Sequence, residues 1–335
     1  MLEKVSLSIL IAAGQFVTVI MAFVSLYFHT TYTLFFILIG VSLAIFIQYT
    51  KLPRIDSAVS WPVILAEWKT NGTRAPVIGH AGASYDAPSN TLAAFREAHK
   101  NGADGVEFDL HITKDNIGVL IHDESVDRTT DGIGLVSELT FEEIRKLDAS
   151  VKSIYFERFK GEKVPTLEET IQECLKLDLA MYIDIKSTDA RTIALVLEMF
   201  KKYKLYKKAV VKAFSPMLLY QLRSADPEII TVQLMRPYLT SYNDILHDAK
   251  PKINSRIKLF FAIIYDIILE WSINSWTCYY TGVSAVSLHH NYLSRFIADH
   301  WLSTGFQVMT WTVNDPIEKK YWLKNNIPIV TDSIK

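Results

Sequence analysis

Little in this chain would draw it to a polyanion or stabilise it by oxidation. Its 335 residues carry a formal net charge of only −1, so there is no basic footprint and nucleic acid is not expected as a partner. Cysteine is nearly missing: Cys174 and Cys278 are too few for a disulfide framework and say nothing about compartment. The most informative absence is local. Between Val5 and Thr50 there is no Asp, Glu, Lys or Arg, although charged residues make up 21% of the whole chain.

That uncharged run is long enough for two membrane crossings at roughly 20 residues each. Val5–Phe28 and Tyr32–Tyr49 are separated only by His29, Thr30 and Thr31. A cleaved leader has an apolar core of about 7–15 residues, which this run exceeds. Residues 1–50 are therefore expected to be a membrane anchor of one or two transmembrane helices, joined as a hairpin if there are two. The lipid bilayer becomes an expected partner, and the chain an integral protein of the plasma membrane or an internal one. Lys4, Lys51 and Arg54 place both flanks of a hairpin in the cytosol. The sequon Asn71-Gly72-Thr73 is usable only on the other side, so the two signals conflict on topology.

Residues 51–75 read as a connector with a short amphipathic stretch near Trp61–Trp68. Residues 76–335 alternate short β-rich runs with helical ones, the pattern of a parallel sheet buried on both faces. Nine strands are expected, at Val77–His80, Gly105–Ile112, Val119–His122, Ala180–Ile185, Ala209–Phe214, Ile229–Leu234, Ser284–Leu288, Gln307–Val313 and Pro328–Thr331. The second and third are joined only by a turn around Lys114–Asn116. Parallel strands need a crossover of about a dozen residues or more, so this pair is an antiparallel hairpin with Asp109 roughly opposite His122. The others make an α/β fold of the (β/α)8 TIM barrel type. Residues 236–282 interrupt it as an insert. Within the insert, Ile257–Trp276 is apolar enough to suggest a third span, but Lys258, Asp266 and Glu270 share one arc of the helical wheel. A crossing here would also separate three later strands from their barrel. An amphipathic interfacial helix on the barrel rim is expected instead.

Chemistry concentrates at strand ends. His80 closes the first strand, Glu107 and Asp109 share a face of the second, and His122-Asp123 closes the hairpin. Asp184 and Lys186 share a face at the end of the fourth. Three carboxylates on one rim suit a hard divalent cation, Mg²⁺ or Ca²⁺. Lys186 adds a positive charge for an anionic group, and two histidines can act as base and acid in one turnover. These parts describe phosphodiester cleavage.

The order of motifs resembles the glycerophosphodiester phosphodiesterase family. The matching residues are His80-Ala81-Gly82, Asn90-Thr91-Leu92, Gly102-Ala103-Asp104 before Glu107-x-Asp109, and Thr113-Lys114-Asp115. They continue through His122-Asp123, Arg128-Thr129-Thr130-Asp131-Gly132, Pro165-Thr166-Leu167, Asp184-x-Lys186, Trp311-Thr312-Val313-Asn314 and Thr331-Asp332. Aspartate at 184 and the apolar N-terminus are similar to the animal membrane-bound members. The resemblance implies a phospholipase C-like phosphodiesterase barrel with one divalent cation held by Glu107, Asp109 and Asp184. It makes His80 and His122 the acid–base pair, gives Lys186 the phosphate and sets Trp311 against the glycerol. It also implies attack by the substrate's own glycerol hydroxyl, loss of the head-group alcohol, and hydrolysis of a cyclic phosphate to glycerol 3-phosphate. No protein partner is indicated.

One motif position departs. The family's His-Arg-Gly is His80-Ala81-Gly82 here, and loss of a phosphate-binding guanidinium commonly costs about 10²–10³ in rate. Lys212 and Arg236, near strand ends, are candidates to replace it. Alternative expectations follow: lysophospholipase D-type cleavage of lysophospholipids or glycerophospho-N-acylethanolamines, or a weakened enzyme or binding scaffold. His99 and His111 are expected at the surface, His289-His290 near the pocket mouth at most, and Asp104 and Asp123 as braces for backbone amides.

Overall fold

The computed structural model describes residues 12, 14–22, 31–187, 189–243 and 249–335, without the side chains of 31–37. The chain divides into two compact units. One comprises Met1–Arg54 with Pro237–Gly282, the other Ile55–Arg236 with Val283–Lys335.

The second unit is a closed barrel. Its strands are β1 (Val77–Gly79), β2 (Gly105–Ile112), β3 (Gly118–Leu120), β4 (Ala180–Ile185), β5 (Ala209–Ala213), β6 (Thr231–Met235), β7 (Ala285–His289), β8 (Gln307–Trp311) and β9 (Ile329–Thr331). They run in the order β1-β9-β8-β7-β6-β5-β4-β2-β3, and a β1–β2 pairing closes the ring. Every neighbour is parallel except β3, which pairs antiparallel with β2, as the short turn requires. Helices between the strands start on side-chain caps that satisfy free amides. Thr91 accepts from Ala94 N–H, and Thr166 with Glu169 forms a full capping box.

Inward residues from the first halves of the strands fill the barrel: Ile78, Tyr182, Val210, Val232, Met309 and Val330 form one cluster with Val63 and Ile64. Those last two belong to the helix Ser57–Ile64, capped by Asp56. Tyr182 Oη donates to Ile64 O at 2.7 Å. Part of the stretch between residues 51 and 75 thus serves as the barrel's floor, which leaves the other end for chemistry.

Gly105 begins β2 where it pairs with both β1 and β4. A Cβ there would lie 2.7 Å from Ala180 O and 2.9 Å from Tyr182. Only glycine allows β2 to approach β4 this closely, and this approach sets the register of the β2 carboxylates.

In the other unit, helix Thr31–Thr50 has no acidic residue in its first turn and no basic one in its last. Leu38, Ile39, Val41, Leu43, Ile45 and Phe46 are exposed along it. The expected spanning hairpin is not displayed: among the described residues no helix is long and apolar enough to cross a membrane. Most of the first expected span lies outside the described residues. In the same unit, helix Arg256–Ser272 is turned inside out relative to an ordinary amphipathic helix. Asp266 is buried and accepts from the backbone and hydroxyls of Thr240 and Ser241 at 2.6–2.9 Å. Phe260, Phe261, Tyr265, Ile267 and Ile268 are exposed. The charged arc read from the wheel is real, but at Asp266 it faces inward, because a carboxylate is there needed to satisfy loop amides.

Gly105→Ala is expected to lower stability by about 1–3 kcal/mol through overpacking against backbone, read as a drop in the urea midpoint. A midpoint equal to the parent's would refute this close approach.

Candidate active site

Alternation along β2 puts Glu107 and Asp109 on one face, and register pairs Asp109 with Asp184 of β4. All three are buried, with candidate ligand oxygens within 4.8 Å of one another. Three adjacent carboxylates repel, so what surrounds them decides whether they can be charged. Lys186 Nζ lies 2.6 Å from Asp184 Oδ2 and 3.0 Å from Asp109 Oδ1. Asn90 holds Asp109 twice: Nδ2 donates to Oδ2 at 2.7 Å, and Asp109 N–H donates to Asn90 Oδ1 at 3.0 Å. Glu107 Oε2 accepts from Ala81 N–H at 3.1 Å, and Lys212 Nζ lies 3.5 Å from Oε1.

The acidities follow. Burial pushes the Asp109 carboxyl up, but Lys186, His122, His80 and the Asn90 amide outweigh it, and it is held below its ordinary value. Asp184 goes the other way: burial, helped by repulsion from Glu107 and Asp109, raises it against the pull of Lys186 and Lys212. Burial opposes the Lys186 charge, yet the three carboxylates raise its pKa. Asp184 Oδ1 is buried without a hydrogen-bond donor, and for Asp109 Oδ1 no hydrogen bond forms although Lys186 lies near. Orphaned carboxylate oxygens facing a third carboxylate fit a hard cation.

Two histidines approach this centre, each with Nδ1 occupied by an aspartate. His80 Nδ1 lies 2.6 Å from Asp332 Oδ1. Asp332 also accepts from Ser84 Oγ and from Asn314 Nδ2, both at 2.7 Å. Burial alone would lower the His80 pKa, but the Asp332 hydrogen bond and the charges of Glu107, Asp332 and Asp109 raise it to about 9. His122 Nδ1 lies 2.8 Å from Asp123 Oδ1. Asp123 is shared, because Arg128 donates from Nε at 2.5 Å and from Nη2 at 3.0 Å. The His122 bond, then Arg128, holds the Asp123 carboxyl below its usual range against burial. In both dyads Nδ1 is the ring nitrogen paired with the aspartate.

His80 opens a tight turn. Ala81, Gly82 and Ala83 have φ of +47°, +81° and +68°. At Gly82 a Cβ would sit 2.7 Å from the Ala94 Cβ and 2.8 Å from Phe95. This turn aims Ala81 N–H at Glu107. Across the barrel, Trp311 donates from Nε1 to Ser287 O at 3.0 Å. Its ring is wedged edge-on between Phe214 and His289, with centroids 5.7 and 5.1 Å away.

Of the seven residues singled out from the sequence, His80, His122 and Lys186 follow strands, Asp184 and Trp311 lie at or next to strand ends, and Glu107 and Asp109 lie within β2; His80, His122 and Lys186 gather around the three carboxylates. The register of the hairpin is one residue from that expected: Leu110 faces Leu120, and Ile121 N–H donates to Asp109 O. His111 is not a surface residue. It is buried, its Nε2 lies 3.3 Å from His122 O, and burial lowers its pKa. Asp104 does brace a backbone amide, that of Val77, and binds Arg74. Asp123 instead holds a histidine. Sequence reasoning missed Asn90, Asp332, Asn314 and Arg128 as supports. Their signal was membership of the ordered motifs.

A parallel barrel with a buried acidic trio, a lysine and two aspartate-held histidines at its open end is the equipment of a phosphoric diester hydrolase. Residues 80–335 match the Glycerophosphoryl diester phosphodiesterase family, and the chain belongs to it. It is 39% identical over 263 residues to Glycerophosphodiester phosphodiesterase 1 of Homo sapiens, covering 78% of each chain. Among solved structures it is similar to an Oleispira antarctica phosphodiesterase in complex with the product sn-glycerol-3-phosphate. That match has a TM-score of 0.59 at 23% identity, covering 77% of this chain and 92% of that one. A glycerophosphodiester phosphodiesterase of Agrobacterium tumefaciens gives 0.58 at 23% identity, covering 77% and 96%. These last two likenesses concern the fold.

The His80–Asp332 pair makes a directional prediction. A His pKa raised from 6.5 to about 9 in the folded state contributes stability in full below the unfolded value, lost as pH rises through about 9. Asp332→Asn should remove most of that dependence and make the alkaline limb of the rate profile begin at lower pH. Unchanged pH profiles for both stability and rate would refute the dyad's role.

Proposed function

We propose that this chain hydrolyses glycerophosphodiesters to glycerol 3-phosphate and an alcohol, using one divalent cation, Mg²⁺ or Ca²⁺, held by Glu107, Asp109 and Asp184. The observation that carries the reading is the buried trio with its orphaned oxygens beside two aspartate-held histidines. When bound, such an ion supplies Lewis-acid charge to a phosphoryl oxygen. Lys186 adds an ammonium for the same phosphate. His80, whose Nδ1 is paired with Asp332, donates from Nε2 to the departing alcohol. His122, whose aspartate is already engaged by Arg128, takes the proton of the attacking glycerol hydroxyl. The two exchange roles when water opens the cyclic phosphate. Trp311, held by Ser287, Phe214 and His289, offers its ring to the glycerol carbons.

Membrane anchoring belongs to the same reading. It rests on the uncharged run from Val5 to Thr50 and on the exposed apolar side chains of helices Thr31–Thr50 and Arg256–Ser272. Those side chains also favour a second reading, cleavage of lysophospholipids or N-acylated glycerophosphoethanolamines. In the same unit a cavity of about 370 Å³ is lined by Phe16, Phe46, Ile47, Trp271, Trp276 and their neighbours, apolar enough for an alkyl chain.

The test is alcohol release from a panel of deacylated and acylated substrates after chelation and addition of Mg²⁺ or Ca²⁺. Deacylated substrates should be cleaved faster, and His80→Ala or His122→Ala should lose about 10²–10⁴ in rate. Faster cleavage of the acylated set would favour the second reading. Activity equal to that of the double histidine variant would end both. The full-length protein should also stay with membranes through alkaline carbonate extraction, and its release would exclude a spanning anchor.

A further inference from the structure

Lys212 takes no part in the mechanism above, yet its place is unusual. It lies on β5 in register with Asp184 of β4, and its side chain is 2% exposed. An ammonium buried so completely is costly unless a negative partner offsets it. The partner is Glu107, whose Oε1 is 3.5 Å away. Glu107 Oε2 is taken by the Ala81 N–H. Glu107 therefore has both oxygens engaged, and Asp109 Oδ1 has the Lys186 ammonium 3.0 Å away, whereas Asp184 Oδ1 has no hydrogen-bond donor. Alanine at 81 matters here. Its backbone reaches Glu107, but its side chain brings no charge to the place where the motif carries a guanidinium.

We propose that Lys212 is a positioning residue and the resident countercharge of this centre, replacing the missing cation at position 81 by approaching Glu107 from the neighbouring strands. It rests on the reading that Glu107, Asp109 and Asp184 hold a divalent ion. With three carboxylates set against two ammonium groups, Lys186 and Lys212, the centre without an ion carries at most one excess negative charge. The centre can then stay folded without an ion, bind one reversibly, and remain attractive to a phosphate once the ion is in place. Without Lys212 the excess negative charge would tighten the ion and repel the anion.

The experiment is calorimetric titration of Mg²⁺ and Ca²⁺ into the chelator-treated full-length protein, followed by inorganic phosphate, with melting temperatures recorded with and without ion. Lys212→Met is expected to bind the ion about 10-fold or more tightly, to bind phosphate about 10-fold or more weakly, and to melt lower only when ion-free. Lys212→Arg should keep parental values, and Ala81→Arg in the Lys212→Met background should return both affinities toward them. A folded Lys212→Met with parental ion and phosphate affinities would overturn the inference. So would failure of both Lys212→Met and the double variant to fold, since that marks a packing role alone. If Lys212→Met fails to fold but the double variant folds and binds as the parent does, the countercharge role is upheld. Absence of ion binding by the parent itself would instead remove the proposed metal centre.

Discussion

Mutual repulsion among Glu107, Asp109 and Asp184 is the constraint from which the rest of the barrel's open end follows. Three carboxylates within 4.8 Å cannot be charged together in a low-dielectric interior unless cations and amides surround them. Nearly every polar feature nearby can be traced to that demand. Lys186 bridges two of them, Asn90 grips the third side of Asp109, and the turn after His80 bends through three left-handed residues to present an amide to Glu107. The same negative charge reaches His80 and helps retain its proton. One cluster thus bears both on a candidate cation site and on the protonation of His80.

The two histidine dyads are alike in plan and unlike in surroundings. Asp332 has neutral co-donors, Ser84 and Asn314, so its charge is available to His80. Asp123 shares its charge with a guanidinium. Two chemically identical side chains are thereby placed in different electrostatic settings by residues that never touch the carboxylate trio.

Periodicity and connection length made the barrel legible. The nine strands fall where alternation placed them, and a turn too short for a crossover identified β3 as antiparallel. The buried trio of Glu107, Asp109 and Asp184 was legible because carboxylates in apolar strand runs have no structural excuse. What stayed hidden was support and register. Asn90 and Asn314 look like ordinary loop amides until the fold brings one to β2 and the other to β9. His111 looked external because alternation cannot tell that a hairpin folded over a barrel end is covered on both faces. The floor was hidden for a similar reason. Helix Ser57–Ile64 read only as part of a connector with an amphipathic stretch, and nothing in its sequence says that Val63 and Ile64 enter the barrel cluster. Helix Arg256–Ser272 shows the opposite limit: the wheel found its charged arc, but only the loop amides of Thr240 and Ser241 decide that Asp266 points inward.

His80 follows the first barrel strand and Asp332 follows the last, and the two meet at the seam where β1 pairs with β9. A chain emerging from the ribosome presents His80 some 250 residues before its carboxylate partner is made. Until the ring shuts, that imidazole has neither its proton-holding aspartate nor a fixed orientation. The carboxylate that holds the His80 ring is therefore supplied only by closure of the barrel, so ring closure and the setting of this imidazole are one event.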